Sequence, residues 1–99
     1  MIGADISPTL RAAIEAVVWQ ELGRFGVSEV EVTESEDADG DPVILVNVHY
    51  RDPEAEPDFK VASGALTKLN DTLFELKEPR FGYIRHKVQD AMPEPRSRR

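Results

Sequence analysis

The stretch PVILVNVHY, residues 42–50, constrains this chain more than any other. Nine residues rich in β-branched and aromatic side chains read as a strand, and alternation puts Ile44, Val46, Val48 and Tyr50 on one face. The opposite face carries Val43, Leu45, Asn47 and His49, so it too begins apolar. A strand of this kind needs neighbours on its edges and cover on its faces.

The flanking segments supply them. VSEVEVTE (27–34) also alternates, with Ser28, Val30 and Val32 on one face and Glu29, Glu31 and Thr33 on the other, which predicts a hairpin with 42–50. The connection SEDADGDP (35–42) is rich in turn residues and is expected to be solvated and mobile. Upstream, Ser7 and Pro8 mark a helix start, a capping hydroxyl followed by a residue with no N–H to lose. Leu10, Ala13, Ile14, Val17, Val18, Leu22 and Phe25 then form a helical stripe, with Gly23 or Gly26 as its left-handed terminator. Trp19 borders that stripe as a core-edge residue, with an interface anchor as the sharper alternative.

Downstream, DPEAEPD (52–58) reads as an exposed linker into a second helix. Its expected stripe is Phe59, Ala62, Leu66, Leu69, Leu73 and Leu76, and Pro79 stops it. In RFGYIRHKV (80–88), Phe81, Tyr83, Arg85 and Lys87 alternate with Gly82, Ile84, His86 and Val88, which favours a short third strand over a short helix. The expected fold class is therefore α+β. Two helices pack on one face of a small antiparallel sheet, in the order α-β-β-α with a third strand at 80–88.

Ninety-nine residues make one domain, here residues 1–90, with 91–99 as a disordered basic tail. The chain has no cysteine, so packing or association must stabilise it, and a reducing compartment fits. The N-terminus has neither a basic region nor an apolar core of the secretory kind, and the longest apolar run is Val43–Val46, which makes a cytoplasmic protein the expectation. Two helices cover only one side of the sheet. A homodimer is expected to complete the core, through edge strands paired across a two-fold axis or through the open face buried on a copy.

Each chemical motif has a plainer reading. Asp37, Asp39 and Gly40 fall at calcium-loop spacing counted from Ser35, but the closing position is Val46 rather than a bidentate glutamate, so an acidic turn is expected and no metal. His49 and His86 lie on strands that a sheet brings close, with Asp52 as a third ligand, yet no local ligand spacing supports a metal. Ser7, Ser28, Ser63 and Ser97 read as cap, strand, helix and tail, none in a nucleophile motif. Glycines show no phosphate-binding pattern, and the many carboxylates should be solvated rather than tuned. The chain is expected to be non-enzymatic and to need no cofactor.

Charge is the most informative property left. Residues 29–58 hold eleven acids against Arg51, for -10, and residues 59–99 hold nine bases against five acids, for +4, inside a chain of net charge -7. This predicts a small acidic, regulatory protein-interaction module with a basic protein partner. Glu29, Glu31, Asp37 and Asp39 would steer recognition, and Phe81, Tyr83 and Arg85 would make a specific contact. The alternative is RNA bound by Arg80, Phe81, Tyr83, Arg85 and Lys87 with the tail RSRR. A stretch of -10 repels a polyanion at any distance within the Debye length of about 8 Å, and no G-x-x-G loop or paired aromatic motif is present, which favours the protein partner.

Overall fold

The computed structural model describes residues 6–52, 54 and 57–88. The expected tail at 91–99 lies outside them, as do Pro53, Ala55 and Glu56 of the linker. Helix α1 spans Pro8–Leu22, and the Ser7 side chain accepts the Leu10 N–H at 3.1 Å, as the Ser-Pro start predicts. Leu10, Ile14, Val17, Val18 and Leu22 are its buried face, while Trp19 is 48% exposed at the border. A single 3-10 turn, Gly23–Phe25, follows, and Gly26 at φ 83° makes the left-handed corner into the sheet.

The sheet has three strands in the order β1-β2-β3: β1 is Val27–Glu36, β2 is Pro42–Tyr50 and β3 is Phe81–Val88. β1 and β2 form the expected hairpin, but its connection is only Asp37–Asp41 and is held by hydrogen bonds. Asp37 Oδ1 accepts the N–H groups of Asp39 and Asp41 at 2.9 and 3.0 Å, and Gly40 takes φ 84°. An aspartate that bonds its own turn closes a loop that composition alone makes look loose.

The expected third strand forms, and it joins β2 in parallel, so the sheet is mixed rather than antiparallel. Helix α2, Phe59–Glu75, is the cause. It carries the chain back across the sheet to the end where β2 began, and the next strand must then run the same way as β2.

One residue of β1 departs from strict alternation. Val27 pairs with Tyr50 and Glu29 with His49, so Ser28 is the extra residue of a bulge. The bulge turns Val27 into the core, and Ser28, expected beside Val30 and Val32, is exposed. Beyond it Val30 and Val32 lie opposite Val48 and Val46, and on that face Ile44, Val46, Val48 and Tyr50 are all 0% exposed.

Helix α2 begins at Asp58, whose carboxylate accepts the Val61 N–H at 2.9 Å. Its inward row is Ala65, Leu69 and Leu73, with Val61 packed at the near end. Phe59, expected in the stripe, is 86% exposed, and Leu76 has already left the helix. The row at four-residue spacing faces the sheet because β3 offers it Gly82. A Cβ on Gly82 would stand 2.8 Å from Leu69 Cδ2 and 3.0 Å from Leu73 Cδ1. The bare backbone there lets helix and strand approach.

The end of α2 is a Schellman motif. The Glu78 N–H reaches the Leu73 carbonyl at 2.9 Å and the Lys77 N–H reaches Phe74 at 3.0 Å, with Lys77 at φ 62°. A lysine occupies the position that favours glycine. Lys77→Gly should therefore raise unfolding free energy by about 1 kcal/mol, read as a higher urea midpoint at unchanged slope. Gly82→Ala should do the reverse, costing roughly 1–3 kcal/mol as Leu69 and Leu73 are forced aside, and an unchanged midpoint would refute the close-approach account.

Candidate functional site

The helices cover one face of the sheet and leave the other open. In register, the open face is three columns: Glu29, Glu31, Thr33 and Ser35 on β1, then Val43, Leu45, Asn47 and His49 on β2, then Phe81, Tyr83, Arg85 and Lys87 on β3. Five of the seven residues expected to contact a partner, namely Glu29, Glu31, Phe81, Tyr83 and Arg85, share it. Asp37 and Asp39 sit apart at the hairpin tip.

Across the rows the face divides into two ends. At one end Val43 and Leu45 lie beside Phe81 and Tyr83, whose rings meet edge to face with centroids 4.9 Å apart and are 48% and 42% exposed. An open hollow of about 340 Å³ adjoins them, reaching from Val43, Leu45 and Tyr83 to Ser35 and Arg85. At the other end, Glu31 and Arg85 flank Asn47, and Glu29 and Lys87 flank His49. Acids and bases are thus two strand spacings apart, about 10 Å, acid column on β1 and base column on β3.

Within the polar end, His49 Nε2 lies 2.9 Å from Glu31 Oε1. Asn47 is less well served: its Oδ1 is buried and has no hydrogen-bond partner among the described residues. A buried acceptor left unpaired costs about 1–3 kcal/mol, a price carried here in the middle of β2.

The two histidines do not meet. Val48, not His49, is the register partner of His86, so the rings lie on opposite faces, and the ligand set with Asp52 does not assemble. His86 Nδ1 is 2.7 Å from the buried Tyr50 hydroxyl, and the two rings stack at 5.8 Å. The hydroxyls of Ser28 and Thr33 donate to the carbonyls of His49 and Leu45, so neither is turned toward an imidazole. At the hairpin tip, one carboxylate oxygen each of Asp37, Asp39 and Asp41 lies within 4.8 Å of the others, and Asp37 also closes the turn by accepting two N–H groups through Oδ1.

Arg80 stands outside the face. Its Nε and Nη2 donate to Glu78 at 2.7 and 3.2 Å, and both side chains are only 13% exposed. Of the five residues of the RNA reading, the structure groups Phe81, Tyr83, Arg85 and Lys87 in one column and ties Arg80 into the turn before it. Both sheet edges are also engaged. Arg11 Nη1 donates to the Val32 carbonyl at 3.1 Å on β1, and the Asn70 side chain bonds both the N–H and the carbonyl of Gly82, at 2.8 and 3.0 Å, on β3.

The sequence reading placed none of Asn47, Arg11 or Asn70 in a site. Only Asn47 left a signal, as the one amide in a run of valines, leucine and isoleucine. Among the described residues no helix is long and apolar enough to cross a membrane. Comparison with family models, curated proteins and solved structures gives no match in any of the three.

The Arg80 hydrogen bonds hold the Glu78 carboxyl below its ordinary value of 4.5, against the opposing effect of desolvation. A depressed carboxylate stabilises the fold above that ordinary value and loses its contribution as pH falls through the lowered one. Glu78→Gln should accordingly cost about 1 kcal/mol at neutral pH and nothing at strongly acid pH, where the two urea curves should converge. A gap that persists in acid would show that the pair acts through packing alone.

Proposed function

We propose that the chain is a non-enzymatic protein-interaction module, acting in the cytoplasm as a homodimer, that takes a basic protein partner on its acidic hairpin. The observation behind this is where the charge lies. From Thr33 to Asp41 every residue except Asp37 is exposed, and five of the nine are acids. Asp37 is held by the turn, which leaves Glu34, Glu36, Asp39 and Asp41 to project a concentrated negative field from one end of the sheet. Such a field raises association rates with a basic surface and rejects an acidic one. Glu29 and Glu31 continue it along β1. The non-enzymatic reading is supported by Ser28 and Thr33, whose hydroxyls donate to backbone carbonyls instead of to His49.

The RNA reading has one observation in its favour, the single column of Phe81, Tyr83, Arg85 and Lys87 on an open sheet. Two features weigh against it. Edge-to-face contact leaves less ring surface for base stacking than two separate platforms, and the acid column lies about 10 Å away on the same face, close to one Debye length.

Purification of the tagged chain from its native host, with and without nuclease, separates the two. The expected result is a basic protein that survives nuclease, elutes with rising salt, and is retained roughly tenfold less well by Glu36→Lys with Asp39→Lys at unchanged thermal stability. Co-purifying material that absorbs as nucleic acid and vanishes on nuclease treatment would install the RNA reading instead.

A further inference from the structure

We infer that the open sheet face is the surface through which two copies of this chain join, with the two-fold axis running along β2. The inference rests on the homodimer reading above and specifies its geometry. The argument is one of self-complementarity. Half a turn about a line in the plane of the face, parallel to β2, keeps every row at its height and exchanges left for right. The β1 column of one copy then lies over the β3 column of the other. Glu31 comes over Arg85 of the second copy and Glu29 over its Lys87, with the same two contacts repeated across the axis.

The other end closes in the same operation. Leu45 lies on the axis against its own counterpart, and the exposed rings of Phe81 and Tyr83 are covered by the small side chains of Ser35 and Thr33 on β1 of the second copy. Asn47 is also on the axis.

Other symmetric arrangements fit less well. An axis across the strands lays the acid column on the acid column and Leu45 on Asn47. Edge pairing would have to displace Arg11 from Val32 or Asn70 from Gly82. Size sets the strength. Three strands by eight residues cover roughly 400 Å² in plan, about half of what each partner buries in a standard interface, so the dimer is weak and exchanges readily.

The weakness makes the test clean. Two variants are compared with the wild type by sedimentation over a dilution series, with circular dichroism to check folding: Glu29→Lys with Glu31→Arg, and Arg85→Glu with Lys87→Glu. All four residues are exposed, so the fold should survive. The wild type should dimerise with concentration, each variant alone should associate roughly tenfold or more weakly, and an equimolar mixture should return to wild-type strength because every charge meets its opposite again. A wild type that stays at 11.1 kDa at all concentrations overturns the homodimer reading itself. Variants that dimerise as well as the wild type leave that reading standing and overturn this interface. A mixture that associates far more tightly than the wild type identifies the axis across the strands and overturns the one along β2.

Discussion

The burial of one column of side chains organises this molecule. Ile44, Val46, Val48 and Tyr50 project from a single strand into the space between two helices and the sheet, and none retains any exposure. Complete burial of four such residues removes apolar area worth on the order of 1.5–3 kcal/mol each, more than any cap or ion pair described here. Once that column is inward, alternation turns Val43, Leu45, Asn47 and His49 to the other face, which no helix among the described residues covers, though Val43 is buried among its neighbours. The open face is thus a geometric consequence of the core.

What holds helix α2 at the right height is a residue without a side chain. Leu69 and Leu73 occupy the space that a Cβ on Gly82 would fill, and Asn70, between them on the same helix, bonds the Gly82 backbone on both sides. The strand is gripped by contact and by hydrogen bonds at the same residue. This joint sets where β3 begins, and through the parallel register it sets which of its residues stand beside Leu45 and Asn47.

Much of this was legible from periodicity, because the features concerned are local. The cap at Ser7, the hairpin, the stop near Pro79 and the alternation of 81–87 each depend on neighbours within a few positions. Parallel pairing of β3 was not legible, since it follows from the direction in which α2 returns across the sheet. The bulge at Ser28 escaped for a different reason: alternation is the signal used to read a strand, and a bulge is a break in it. Phe59 falls in register with the apolar stripe, but hydrophobicity is not burial, and at the first position of α2 it stays exposed. Of the candidate site, the acid and base columns could be read from charge and alternation. The pairing of His49 with Glu31 needed the register between strands, the loss of Arg80 to Glu78 needed the turn around Pro79, and the unpaired Oδ1 of Asn47 needed the packing around it.

The side chains that bond the two sheet edges bear on how the molecule behaves when crowded. Pairing along an edge is open-ended: each added copy presents a fresh edge, and the product is a filament. Arg11 and Asn70 each occupy backbone groups of an outer strand, from a helix on the far side of the sheet, so lateral growth is obstructed at both ends of the row. The exposed apolar surface left to the sheet faces in one direction only, and contact through a single face is exhausted as soon as it is made. On the sheet, then, apolar contact is directed to a surface that terminates growth instead of propagating it, while Phe59 and Phe74 on α2 stay exposed on the helical side.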